Sequence, residues 1–313
     1  MKKNILLLFS LSFFLSGCFN HKVGAADNLK IERTPERIKR GEYLAKNISS
    51  CIDCHSSHDK NKFASPVISG TEGKGGELFG KEEGLPGNIY APNITPDHLG
   101  SWTDGELFRA ITSGVSKDNT SLFPLMPYNN FGKMDKEDIL SIISYIRTLK
   151  PIKNEIPKRE LDFPLNFIVN SMPQNPNFQT IPKKSDSINY GKYLVNAASC
   201  FTCHTQMNKG EPIKDMDFAG GEKFKIKNYG TIFSSNISSD KETGIGNWTK
   251  ESFIKRFKDY SPKNIKNNEF QTVMPWYNYT EMPEDEIGAI YDYLKTTKPI
   301  KNLIENRFIS EKK

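Results

Sequence analysis

The sequence predicts an all-α fold built twice in tandem, and three observations predict it. The 313-residue chain repeats itself at offsets between 143 and 150 residues, each copy carries similar apolar helical stripes, and each places one C-x-x-C-H string behind its first helix. Arg40-Gly41-Glu42-Tyr43-Leu44 returns as Tyr190-Gly191-Lys192-Tyr193-Leu194, and Asn93-Ile94-Thr95 returns as Asn236-Ile237-Ser238. Trp102-Thr103 returns as Trp248-Thr249, Met126-Pro127 as Met274-Pro275, and Lys150-Pro151-Ile152-Lys153-Asn154 as Lys298-Pro299-Ile300-Lys301-Asn302. A period this long is that of a duplicated domain, not of a solenoid.

Taken in order, the chain opens on Lys2 and Lys3 before an apolar run from Ile5 to Leu15. The run is too short to span a bilayer and reads as an export signal. Leu15-Ser16-Gly17-Cys18 resembles a bacterial lipobox, so residues 1–17 are expected to be removed and Cys18 to be lipidated, tethering the chain to a membrane surface. An ordinary secretory leader cut at Ala25-Ala26 is the alternative. Residues 18–34 read as a tether, 35–152 as the first domain, 153–186 as a proline-rich connector, 187–305 as the second domain and 306–313 as a tail.

Within the first copy, the stretch from Gly41 to Ile48 forms a short helix leading into the motif. Thr103-Asp104-Gly105-Glu106 has the pattern of a capping box, after which Leu107, Ala110 and Ile111 follow at helical spacing. Ile139, Ile142, Ile143, Ile146 and Leu149 line one face of a closing helix capped by Asp135 and ended by Pro151. Ile287, Ile290, Tyr291 and Leu294 repeat that face. The Gly- and Asn-rich stretches between helices read as loops.

The strings Cys51-Ile52-Asp53-Cys54-His55 and Cys200-Phe201-Thr202-Cys203-His204 carry the chemistry. C-x-x-C-H is the attachment signature of covalent haem c: two thiols add to the haem vinyl groups, and the adjoining imidazole ligates the iron. Two strings imply two haems. A redox C-x-x-C or half of a zinc site is the competing reading, and zinc needs more ligands than the five histidines offer. Four of the five cysteines belong to the strings and the fifth is Cys18. Covalent haem attachment requires export, which both leader readings supply.

The second half holds only His204, the proximal ligand, so its sixth ligand is of another type or absent. Met126 and Met274 occupy matching positions about 70 residues after their proximal histidines, each before a stiffening proline. They are the candidate sixth ligands, and His/Met ligation raises the haem potential in favour of electron transfer. Met134 and Met282, also matched, begin apolar helical stripes and read as core. His98 is a weaker alternative for the first iron. His58 lies too near His55 to reach the opposite haem face, and His21 is in the tether; all three read as surface residues.

On these residues, together with Tyr90-Ala91-Pro92-Asn93-Ile94-Thr95-Pro96 and Thr243-Gly244-Ile245-Gly246-Asn247-Trp248-Thr249, the chain resembles bacterial dihaem cytochromes c with tandem class I domains. These include the cytochrome subunits of membrane-bound alcohol and gluconate dehydrogenases. The likeness covers roughly residues 35–305. It implies that the opening and closing helices cross near each haem, pairing Gly41 or Tyr43 with Tyr145 and Gly191 or Tyr193 with Tyr293. It also implies that Trp102 and Trp248 pack at the haem edge or its propionates, with plain core packing as the alternative. Such relatives often carry a third haem domain, whereas this chain has two motifs. In the connector, Phe163, Leu165, Phe167, Ile168 and Val169 are expected to pack across both domains.

Composition narrows the function class. The formal net charge of +6 is weak, falls with loss of Lys2 and Lys3, and is scattered, and no nucleic-acid motif is present. No nucleotide loop or flavin fingerprint marks a separate catalytic domain. The expected function is electron transfer between a respiratory dehydrogenase or quinol-linked donor and an oxidase or reductase, as a carrier or subunit without independent catalysis, on the periplasmic side of a membrane. A dihaem peroxidase is the main alternative, which needs a haem that opens a coordination site and a nearby acid. A thiosulfate-oxidising dihaem enzyme is a third, lacking a spare cysteine for its iron.

Overall fold

The computed structural model describes residues 21–226, 229–261 and 272–310. The leader and Cys18 lie outside the described residues. The first half contains α1 (Pro35–Tyr43), continued by a π turn at Leu44–Ile48, then α2 (Cys51–Cys54), α3 (Pro96–Leu99), α4 (Asp104–Ser113), α5 (Tyr128–Phe131) and α6 (Lys136–Ile146). A short α7 (Leu165–Ile168) lies in the connector. The second half contains α8 (Ser187–Ala197), α9 (Cys200–His204), α10 (Lys250–Lys258), α11 (Trp276–Thr280) and α12 (Glu284–Leu294).

The helix signals act where the sequence places them. The Thr103 hydroxyl accepts from Glu106 N while the Glu106 carboxylate accepts from Thr103 N, closing the capping box of α4. Asp135 accepts from Glu137 N at the start of α6. Leu44, Ile48, Met134, Ile139 and Ile143 are fully buried in the first half, as are Leu194, Met282 and Ile287 in the second. The two methionines read as core are therefore core.

In each half the opening helix crosses the closing helix at a glycine. A Cβ added at Gly41 would stand 1.8 Å from the Ser141 carbonyl oxygen, and one at Gly191 would stand 1.8 Å from that of Ala289. The crossing lies one turn before the tyrosines expected there. Tyr145 instead lies beside Lys46, with the ammonium 5.7 Å from its ring centroid, and Tyr293 meets the Phe218 ring edge-on at 6.3 Å. Side chains on α6 and α12 cannot occupy a contact close enough for backbone to meet backbone, so the glycine faces a carbonyl, not a ring.

Small antiparallel sheets accompany the helices, which periodicity did not reveal because their strands are two to four residues long. β1 (Leu78–Phe79), β2 (Gly87–Tyr90) and β3 (Glu160–Leu161) form one sheet, and β4 (Met207–Asn208) pairs with β5 (Glu211–Pro212). β6 (Lys223–Ile226), β7 (Gly230–Phe233) and β8 (Phe308–Ser310) form the third. The third strand of each three-stranded sheet comes from beyond the closing helix, so part of the connector and part of the tail pack with the halves they follow.

The connector differs from expectation. Phe163 is 82% exposed and Phe167 53% exposed, Leu165 and Ile168 are partly buried, and only Val169 of the five is buried. The contacts come later: the Phe178 ring lies 5.4 Å from that of Phe108, and Asn177 N, Gln179 N and Ile181 N donate to Gly132 O, Met134 O and Asp135 Oδ2. Backbone hydrogen bonds and the side chains of Phe178 and Ile181, which pack against the core, lay this later segment along the first half.

The two halves meet through a reciprocal polar network. Tyr193 of α8 donates to Asp138 of α6 at 2.5 Å, and Tyr43 of α1 donates to Glu286 of α12 at 2.5 Å. Arg40 grips Asp138 with two bonds of 2.8 Å, and Tyr190 adds a bond of 2.8 Å to Glu286. Both acids are buried. A buried carboxylate is retained only when its partners are in place. Asp138→Ala should therefore destabilise the protein by about 3 kcal/mol, since Arg40 and Tyr193 both lose their acceptor. Denaturant unfolding of the haem-loaded chain measures this, and a loss within 0.5 kcal/mol of zero, about the scatter of surface substitutions, would refute it.

Candidate functional site

Each C-x-x-C-H string forms a single helical turn launched from a serine in the left-handed region. Ser50 has φ of 50° and Ser199 φ of 55°. These positions reverse the chain so that α2 and α9 start abruptly, with both cysteines of each pair brought to one short helix. Ser56 and Thr205, immediately after the histidines, are fully buried. Their hydroxyls accept from Gly73 N and Phe218 N, pinning the chain that returns over each motif.

The histidines are positioned alike. His55 Nδ1 lies 2.7 Å from Pro92 O, and His204 Nδ1 lies 2.8 Å from Ser235 O. A carbonyl can only accept, so both Nδ1 atoms carry the proton and Nε2 is the lone-pair nitrogen. Burial lowers both imidazole pKa values, keeping the rings neutral. This is the tautomer and charge state of a metal-ligating imidazole with its outer nitrogen engaged.

The carbonyl-bearing loops are held by a matched set of bonds. Gly75 N donates to His55 O and Gly220 N donates to His204 O, both at 2.8 Å. Asn93 donates to Ile152 O at 2.7 Å and Asn236 to Ile300 O at 2.8 Å. Asn154 and Asn302 donate to Lys74 O and Ala219 O, both at 3.0 Å. Gly75 has φ of 69° and Gly220 φ of 69°, and a Cβ at either would collide with the loop backbone. The repeated asparagines thus tie the segment after each closing helix to the loop that orients the histidine.

Burial pushes Cys51 and Cys200 up to about 12 and Cys203 to about 11, and it raises Cys54 further, helped by Asp53, Cys51 and Cys203. Cys54 and Cys203 are exposed and Cys51 and Cys200 partly buried, so each pair keeps one accessible thiol. A reactive C-x-x-C needs a depressed pKa, and these thiols are displaced the other way. Paired, accessible cysteines beside a neutral, oriented imidazole fit covalent haem.

Met126 and Met274 are partly buried and pack against the hydrophobic core. Their carbonyls accept from Tyr128 N and Trp276 N, at 2.7 and 2.8 Å, in the tight turn made by each Met-Pro pair. Trp102 is partly buried, with its ring 6.2 Å from that of His98, and Trp248 is 39% exposed and meets Phe253 edge-on. Their carbonyls are latched by the closing helices: Arg147 donates to Trp102 O and Tyr291 donates to Trp248 O, both at 2.5 Å.

His98 is exposed and His21 is partly buried, its Nε2 3.4 Å from Asn119 O. His58 is not a surface residue: its side chain is 11% exposed and lies 3.5 Å from Asp53 and 3.6 Å from Glu77. Burial opposes its charge, but hydrogen bonds to the two acids outweigh burial and raise it to about 9. Burial likewise opposes ionisation of Glu77, but His58 and Lys60 hold its pKa below the ordinary value. A raised histidine contributes stability that is full below its unfolded value of about 6.5 and lost as pH rises through about 9; the depressed Glu77 contributes above about 4.5 and loses it in acid. The chain should lose up to about 3 kcal/mol between pH 6 and 9.5, and His58→Gln should flatten that decline in denaturant melts. An unchanged slope would show that His58 is not its source.

Sequence reasoning missed Ser50, Ser199, Asn130 and Asn278, although each recurs at its matched position. Asn278 Nδ2 donates to Ser50 Oγ at 3.3 Å, and Asn130 Nδ2 donates to Ser199 Oγ at 3.0 Å, each bond running between the halves.

Residues 188–298 match the family model described as cytochrome c. The chain is 27% identical to the cytochrome c subunit of a quinone-dependent alcohol dehydrogenase from Gluconacetobacter polyoxogenes, over 92% of this chain and 61% of that protein. It is 27% identical to the gluconate 2-dehydrogenase cytochrome c subunit of Pantoea cypripedii, over 83% of this chain and 59% of that protein. It is 24% identical to a diheme cytochrome c-type protein of Cereibacter sphaeroides, over 80% and 82% of the two chains. The chain therefore spans about half to three fifths of the length of the alcohol, fructose and gluconate dehydrogenase cytochrome subunits it matches.

Proposed function

We propose that this chain, a relative of dehydrogenase cytochrome c subunits with a cytochrome c domain at residues 188–298, is a dihaem electron carrier built from two tandem domains of that kind. The observation that carries the reading is the pair of matched imidazoles, His55 buried and His204 partly buried, each with Nδ1 tied to a backbone carbonyl and Nε2 left as the ligand atom. Cys51 and Cys54 would hold one haem with His55 and Met126 as axial ligands; Cys200 and Cys203 would hold the other with His204 and Met274. Bound haem supplies a one-electron iron couple. The chain supplies fixed ligands, low-dielectric surroundings, and loops locked by asparagines, all of which reduce reorganisation when charge changes. It breaks no substrate bond, and its donor and acceptor are redox proteins, with a respiratory dehydrogenase or quinol-linked enzyme upstream and an oxidase or reductase downstream.

Location follows from the N-terminus. Among the described residues no helix is long and apolar enough to cross a membrane. Residues from His21 onward are bound to the first half: Arg109 donates to Gly24 O at 3.3 Å, Ile31 N donates to the Asp104 carboxylate at 3.0 Å, and Ile31 is buried. Contacts at Gly24 favour cleavage before Cys18 over cleavage at Ala25-Ala26, and with it lipid anchoring at the periplasmic face of a membrane.

A redox titration of the haem-loaded protein with visible and near-infrared spectra tests the function. Two low-spin centres, each with a methionine-to-iron band, are expected. A high-spin or bis-histidine centre that turns over hydrogen peroxide would replace the carrier by a peroxidase.

A further inference from the structure

We propose that Asn130 and Asn278 are cross-domain positioning residues that couple the methionine loop of each domain to the haem-attachment turn of the other. The inference rests on the His/Met reading and goes beyond it by making the two centres a mechanically linked pair.

Asn130 lies four residues beyond Met126, on the helix that follows the Met-Pro turn. It reaches Ser199, the residue before Cys200. Asn278 lies four residues beyond Met274 and reaches Ser50, the residue before Cys51. Each asparagine is also held in return: Asn196 Nδ2 donates to Asn130 O and Asn47 Nδ2 donates to Asn278 O, both at 2.9 Å. Asn130 further donates to Asn196 O at 3.3 Å. The ligand loop of one domain is thus hydrogen-bonded to the last turn of the other domain's opening helix and to the residue immediately before its motif.

The serines supply an independent argument. At φ of 50° and 55°, glycine would be the unstrained residue, since a Cβ is disfavoured in the left-handed region. Both copies nevertheless carry serine, and in both the hydroxyl accepts from the opposite domain's asparagine. Strain kept at matched positions, and used for the same bond twice, marks a functional constraint. Movement of either methionine loop pulls on the turn that fixes the opposite pair of thioethers and its histidine.

Ser50→Gly and Ser199→Gly in the haem-loaded full chain separate this role from simple support, because glycine removes the acceptor while relaxing the backbone. The band of Met274 is read alone in a Met126→Ala background, and that of Met126 in a Met274→Ala background. Ser50→Gly should shift or weaken the Met274 band, and Ser199→Gly the Met126 band, with no fall in unfolding temperature. Bands that stay in place, or that change only as the melting temperature drops, would overturn the coupling. A parent protein lacking two methionine bands would overturn the ligand reading itself, and the coupling with it.

Discussion

Met126→Ala and Met274→Ala should each remove one of two near-infrared methionine bands, leaving about half the intensity, and the double variant should remove both. Each methionine sits in a turn closed by its own carbonyl and a following aromatic N-H, so truncating the side chain leaves the loop standing while withdrawing the thioether. No second imidazole can substitute in the second half, where His204, already the proximal ligand, is the only histidine. The affected iron should become high-spin. Its midpoint should fall by on the order of 0.1 V or more, because axial ligation spreads haem potentials over about 0.8 V. Potentiometry with spectra at each poise reads both effects. Survival of both bands in either single variant would refute the ligand assignment. Loss of one band with an unchanged midpoint would show that the potential is set by burial rather than by the thioether.

The parts of this site that were legible in the sequence are those fixed by local spacing. Two cysteines and a histidine within five residues require no fold to be recognised, and the Thr103 and Asp135 caps depend on neighbours two or three residues away. Duplication extended this reach, since a residue that recurs at a constant offset is marked even when its partner is distant. What stayed hidden depends on pairs far apart in the chain. Tyr43 and Glu286 are 243 residues apart, and Asn278 and Ser50 are 228 apart. His58 looked like an exposed neighbour of the motif because nothing local announces Glu77 on the chain returning beside it. The connector misled for a related reason: apolar residues are required for burial but do not ensure it, and Phe163 and Phe167 pack on each other with their rings 6.3 Å apart while remaining exposed.

Gly41→Ala and Gly191→Ala should be the most damaging single-methyl additions in the helical core. In both, the new Cβ would stand 1.8 Å from a carbonyl oxygen of the closing helix, far inside contact distance. A side chain could rotate away, but this neighbour is backbone and is itself fixed within α6 or α12. The helices must separate, which disturbs Leu44, Ile48, Ile139 and Ile142 in one half and Leu194, Ile287 and Ile290 in the other. Overpacking of this kind costs about 3 kcal/mol or more, enough to outweigh the roughly 0.5–1 kcal/mol that alanine gains over glycine inside a helix. Gly288→Ala provides the contrast. It lies in α12 too, but its Cβ would meet the Lys250 side chain at 3.3 Å and Ile254 at 3.6 Å, and a lysine stem can give way. That variant should be neutral or slightly stabilising. Thermal unfolding of the three haem-loaded variants decides the matter: a melting temperature for Gly41→Ala or Gly191→Ala equal to that of Gly288→Ala would mean that the helices do not cross at these glycines.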